Sequence, residues 1–169
     1  SIVVISLISY FGYDEYKDLK KKQISDNYNA IIIDYSNGDL DKIREKLSVI
    51  VRYKDPTYSP LALYFMIDNN LAEGREKVNL LFDILINKTS LEKEIKNLII
   101  YKKALFNADF INENELLKIL KPVLNSESIW KSHALYLVAE YFYSKNEKQK
   151  SKEFFDEIII LENSNKNLK

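Results

Sequence analysis

Residues 129–161 read IWKSHALYLVAEYFYSKNEKQKSKEFFDEIIIL, and this stretch decides the fold. Apolar residues return at steps of three and four with no sustained alternation of period two, which is the pattern of helices that each bury one face. Its halves, IWKSHALYLVAEYFYSK and KQKSKEFFDEIIIL, form a hairpin that turns at Asn146. Ala139 takes a small position of the first helix and Phe142 an aromatic one three later; Ser151 is the small site of the second helix, with bulky Phe155 four residues on. The small residues let the two helices approach closely, and the aromatics fill the space between hairpins.

Three earlier segments repeat the hairpin. In the first, YNAIIIDYS stops at Asn37-Gly38, where glycine tolerates the left-handed conformation that ends a helix. Asp39 then caps LDKIREKLSVIVRY, and Asp55-Pro56 breaks the chain. The second opens on Ser59-Pro60, a cap followed by a first-turn proline; PLALYFMIDNNLA turns at Glu73-Gly74 into REKVNLLFDILI, with Val78, Leu81, Phe82 and Leu85 on one face. The third starts with capping-box spacing at Thr89 and Glu92 and pairs LEKEIKNLIIYKKALFNA with NELLKILKPVL, where Pro122 ends or kinks the helix near Lys121. Turns at Gly38, Gly74, Asn112 and Asn146 approach the ~34-residue period of tetratricopeptide hairpins. The expected fold is all-α, a tetratricopeptide-like array of about four helical hairpins with a long N-terminal helix.

Composition agrees with helices joined by short turns: 3 Gly and 3 Pro in 169 residues leave little punctuation. Lys+Arg and Asp+Glu are both 25, and this balance lacks the basic surface that a nucleic-acid partner requires. Without cysteine there is no disulfide frame, thiolate metal site or cysteine nucleophile.

The N-terminal stretch Ile2–Tyr13, IVVISLISYFGY, carries no charge. As a helix it spans roughly 18 Å, against about 30 Å for a bilayer core. It reads as the exit end of a membrane-anchor helix, with Ile2, Val3, Val4, Ile5, Leu7, Ile8, Tyr10 and Phe11 as anchor residues. Tyr10 and Tyr13 then fall in the interfacial belt ahead of the charged run Asp14–Lys22. The competing reading is a buried helix that packs on the repeats or on a second copy, and Lys20–Lys22 oppose the anchor because positive charge prefers the cytoplasmic side. The expected organisation is anchor and linker over 1–22, a helical repeat domain over 23–162 and a disordered tail over 163–169.

The aromatic cluster YFGY, YNAII…YSNGD, YSPLALYFMIDNNLAEG and IWKSHALYLVAEYFYSKNEKQKSKEFFDEII together resemble a known family over nearly the whole chain. It is the tetratricopeptide-like domain of the YfgM-like ancillary subunit of the bacterial Sec translocon. The resemblance implies a single-pass inner-membrane protein with its helical domain in the periplasm, and no catalysis. The implied partners are translocon subunits, a periplasmic chaperone or exported chains. The lysine-rich linker, the abundant tyrosine and weak small-residue positions such as Met66 and Val78 depart from that pattern.

A search for chemistry returns little. His133 is the only histidine and lacks the partners of an ordinary zinc site; no glycine-rich phosphate loop occurs, and acidic pairs such as Asp14-Glu15 sit among lysines as solvated faces. No enzyme, metal or cofactor is expected. In tetratricopeptide geometry the first helix of each hairpin lines a concave face. With Ala139 as the small position, the fourth hairpin contributes His133, Tyr136, Glu140 and Tyr143; the third gives Leu98, Tyr101 and Leu105, and the second Leu63 and Ile67. Such a groove suits an apolar peptide or an amphipathic helix. The same residues also read as core, or as a groove that the N-terminal helix fills. The alternative function is a soluble helical-repeat scaffold that homo-oligomerises through its N-terminal helix.

Overall fold

A computed structural model describes residues 2–166, with side chains described for Gly12 and for 14–161. The chain is all-α, with helices α1 (Ile2–Asp34), α2 (Leu40–Arg52), α3 (Tyr58–Asp68), α4 (Arg75–Lys88), α5 (Lys93–Asn107), α6 (Glu113–Leu124), α7 (Lys131–Ser144) and α8 (Lys148–Lys166). No strand occurs among the described residues. The helices group into two compact units, Ser1–Ser90 and Leu91–Lys169.

In the first unit α2 packs on α1, α3 and α4, and α3 also touches α1 and α4. Ile43, Leu47, Ile50 and Val51 recur at helical spacing along α2, all buried, and the expected face of α4 (Val78, Leu81, Phe82, Leu85) meets them in the core. Of the described residues of α1, only Ile24 and Ile31 are buried; Tyr28 and Tyr35 reach the α3 rings of Tyr58 and Phe65 at 5.7 and 5.1 Å. Arg44 bridges α2 to the segment before α4, donating from Nε to the Leu71 carbonyl (2.6 Å) and pairing with Glu73.

Local signals hold where their partners are near in sequence. Asp39 is the N-cap of α2 and accepts from the amides of Asp41 and Lys42 at 3.0 and 3.4 Å. Gly38 serves its turn differently from the expectation, because its φ is not in the left-handed region. A Cβ there would lie 2.6 Å from the Asp34 carbonyl oxygen, so glycine is required by close approach. Ser59 is no N-cap either. The carboxylate that accepts from the amides at the entry of α3, those of Thr57 and Tyr58, is Asp55 (2.8 and 2.7 Å), while buried Ser59 bonds the Asp55 amide and the Ile50 carbonyl.

The second hairpin also turns earlier than Glu73-Gly74. Asn70 adopts φ 53° and the Leu71 amide donates back to the Met66 carbonyl at 2.8 Å, the closure of a left-handed C-cap. Gly74, with φ 72°, closes the same connection as the N-cap residue just before α4.

In the second unit α7 packs on α5, α6 and α8, and α5 on α6. Ala139 and Ser151 are buried where α7 meets α8, and Phe142 stacks on Phe154 at 5.6 Å. Lys150 ties α8 to α6 through Glu113 (3.0 Å), and Tyr141 donates its hydroxyl to the Ile111 carbonyl (3.0 Å). The expected turn at Asn146 occurs, with φ 63° and the Glu147 amide bonded back to the Phe142 carbonyl at 2.9 Å.

Two expectations need adjusting in this half of the chain. The capping box lies at Asn112–Glu115 on α6; Thr89 instead terminates α4, its hydroxyl donating to the Ile84 carbonyl at 3.2 Å. Pro122 lies in the last turn of α6, which ends two residues later at Leu124. Residues 167–169 of the expected tail lie outside the described residues.

Candidate partner-binding face

In the second unit α5 and α7 lie side by side, and the predicted lining residues from the third and fourth hairpins fall on them. On α7, buried Ala134, Leu135, Val138, Ala139 and Phe142 hold one side against the core, so His133, Tyr136, Glu140 and Tyr143 all emerge exposed on the other. Tyr136 and Tyr143 are 53% and 60% exposed. On α5, Leu98 and Tyr101 are half-buried and Leu105 is exposed.

Tyr101 joins the two helices. Its ring stacks on Trp130 with centroids 6.1 Å apart and meets His133 edge-on at 5.9 Å; Trp130 and His133 are themselves 5.2 Å apart. Partial burial pushes the Tyr101 phenol above its usual value. Further along α7, Tyr136 rests edge-on against Phe155 of α8 at 5.8 Å. The segment before α7 is pinned by Glu94, which accepts from the Ser128 hydroxyl (2.7 Å) and the Ile129 amide (3.2 Å). That bond fixes the place where Trp130 enters α7.

Trp130 escaped the sequence reading. It is the chain's only tryptophan and stands three residues before His133, hence on the same face. It precedes the first repeat position that lines a groove, so the repeat register passed over it.

In the first unit the two remaining lining residues part ways: Leu63 is fully buried among the core side chains of α2 to α4, and Ile67 is half-buried. Leu63 therefore has no surface to offer a partner. The same unit holds a cleft of about 300 Å³ between α1 and α2, floored by buried Ile31 and Ile50 and walled by exposed Val49 and Tyr53, with the Lys46–Asp34 pair (3.6 Å) at its rim. The anchor side chains Ile2, Val3, Val4, Ile5, Leu7, Ile8, Tyr10 and Phe11 lie outside the described residues. Among the described residues no helix is long and apolar enough to cross a membrane, and no three His, Cys, Asp or Glu side chains converge as a metal site would need.

The geometry defines an all-helical protein with a solvent-facing aromatic strip. A scan against family models, a search of curated proteins and a search of solved structures each find no match to this chain.

Proposed function

We propose that this chain is a non-enzymatic protein-binding domain, tetratricopeptide-like in the stacking of its hairpins, that docks an apolar or amphipathic segment on the α5/α7 face. One observation carries the reading: the exposed aromatic row of α7 runs into the Tyr101–Trp130–His133 cluster. Tyrosine and tryptophan provide large, rigid contact area with a hydrogen-bonding tip, which is how protein-recognition surfaces are built. The proposal includes a membrane tether, which the uncharged stretch of residues 2–13 suggests, and the bacterial inner-membrane, periplasm-facing setting that the resemblance to the YfgM-like family implies. Translocon subunits, a periplasmic chaperone or exported chains are then the partners.

Trp130 is a built-in reporter. Titrating the full chain with a short amphipathic peptide, leucine and phenylalanine on one face, should shift Trp130 emission in a saturable way. Emission that stays flat in wild type, while Tyr101→Ala behaves identically, would refute docking at this face. Photo-crosslinkers at Tyr101 and Tyr136 in native membranes identify the partner.

A second reading, homo-oligomerisation through α1, has its own support. Every residue from Asp14 to Gln23 is exposed, Tyr16 and Leu19 at 62% and 61%, and the α1/α2 cleft lies on the same helix. Sedimentation of the full chain and of a Tyr16→Ser, Leu19→Ser variant decides it: an oligomer held by α1 dissociates in the variant.

A further inference from the structure

The two ends of the α5/α7 face differ in chemistry. Near the start of α7 the surface is aromatic, made by Trp130, Tyr101 and His133. Two turns further on, Tyr136, Glu140 and Tyr143 share one exposed strip, spaced four and three residues apart. Some carboxylates of this unit are occupied, Glu113 and Glu147 by Lys150 at 3.0 and 2.8 Å and Glu94 by Ser128 and Ile129, whereas others stay open to solvent. Glu140 forms no ion pair with any described residue. The helix thus presents an uncompensated negative charge between two exposed phenol rings, and ring faces themselves attract cations.

We propose that Tyr136, Glu140 and Tyr143 form a cation subsite, and that the segment docked on this face carries a lysine or arginine at one end of an apolar stretch. The apolar end of that segment sits on Tyr101 and Trp130. This inference rests on the docking reading above and adds the partner's chemistry to it. The spacing sets a register: seven residues of α7 from His133 to Glu140 span about 10 Å. A docked helix covers that with two turns, so its cation stands about seven residues from its aromatic or aliphatic anchor. An extended segment covers it in about three residues.

The test uses the full chain and amphipathic probe peptides identical except for arginine, glutamine or glutamate at the cationic position, read by Trp130 emission. The arginine peptide should bind wild type about fivefold more tightly than the glutamine peptide, the size of an exposed ion pair joined to a ring–cation contact. That preference should disappear in Glu140→Gln, reverse toward the glutamate peptide in Glu140→Lys, and shrink as salt rises. Glu140 is exposed, so these variants keep the fold. Equal binding of arginine and glutamine peptides to wild type, or a preference that survives Glu140→Gln, overturns the cation subsite while docking stands. Absence of binding by every peptide overturns docking, and the subsite with it. Emission that changes with protein concentration before any peptide is added identifies a second copy as the occupant and also overturns the proposal.

Discussion

Substitution of Ser59 separates local capping from tertiary bonding by a margin that melting experiments resolve. Ser59 is fully buried; its hydroxyl accepts from the Asp55 amide at 2.9 Å and donates to the Ile50 carbonyl at 2.8 Å, linking the end of α2 to the entry of α3. In Ser59→Ala the Ile50 carbonyl keeps the Tyr53 amide at 3.2 Å. The Asp55 amide, however, loses its acceptor in a buried place, and a stranded donor costs about 1–3 kcal/mol. We expect a loss of about 2 kcal/mol, or about 4–8 °C in Tm for a chain of this size. Ser59→Asp is more severe. A carboxylate cannot donate to the Ile50 carbonyl, sets a lone pair against it and buries a charge without a partner, for a loss of about 3–5 kcal/mol. An N-cap would respond in the opposite way, since aspartate and serine rank together there. Urea unfolding at neutral pH followed by circular dichroism, with Trp130 emission reporting on the second unit, gives both values. Ser59→Asp within about 0.5 kcal/mol of wild type would refute the buried two-way bond.

Tyr101→Ala should weaken probe binding about tenfold, and Tyr136→Ala by a smaller factor, with helical content unchanged by circular dichroism; Tyr101→Phe, which keeps the ring pairs, should stay near wild type. Leu63→Ala should cost about 2–5 kcal/mol in urea melts yet leave the affinity of the α5/α7 face for the probe unaltered, because Leu63 is core. Asp39 supplies a pH test. The amides of Lys42 and then Asp41 hold its carboxyl below the usual value of 3.8. A carboxyl lowered in the folded state stabilises above that value, and its contribution is lost as pH falls through the folded one. Asp39→Asn should therefore unfold more readily than wild type at neutral pH, and the gap should close below pH 3.8.

The parts of this fold that were legible in the sequence are those set by neighbours along the chain. Asp39 reaches amides two and three residues on, Asn146 makes its own left-handed turn, and Val78, Leu81, Phe82 and Leu85 mark a face because charged residues flank them. Misreadings arise where a side chain that could cap the next helix bonds back to the one before it. Ser59 and Thr89 look like caps, yet their hydroxyls serve carbonyls of the preceding helix, Ile50 and Ile84. For the site, α7 announced its phase because the small residue Ala139 sets the register and Glu140 marks a wet side. The sequence of α3, YSPLALYFMID, is nearly all apolar, so nothing in it fixes which side faces the core, and Leu63, readable as groove lining or as core, is buried.

Why an aromatic strip on a helix pair should bind, and not merely sit in water, follows from what stands behind it. A docking surface loses affinity to the ordering of its own side chains, about 0.5–1.5 kcal/mol for each rotamer-rich one. Here most of that ordering precedes the partner. Tyr101 is already held against Trp130 and His133, Tyr136 is braced by Phe155, and the loop that delivers Trp130 is fixed by Glu94. Leu105 and Tyr143 have no such support in the ring contacts of this face and remain the adaptable margin. On the proposed docking reading, a partner would meet a fixed aromatic centre with a movable rim. The rigid centre should dominate binding energy, and the rim, with Glu140 in it, should decide which segment is preferred.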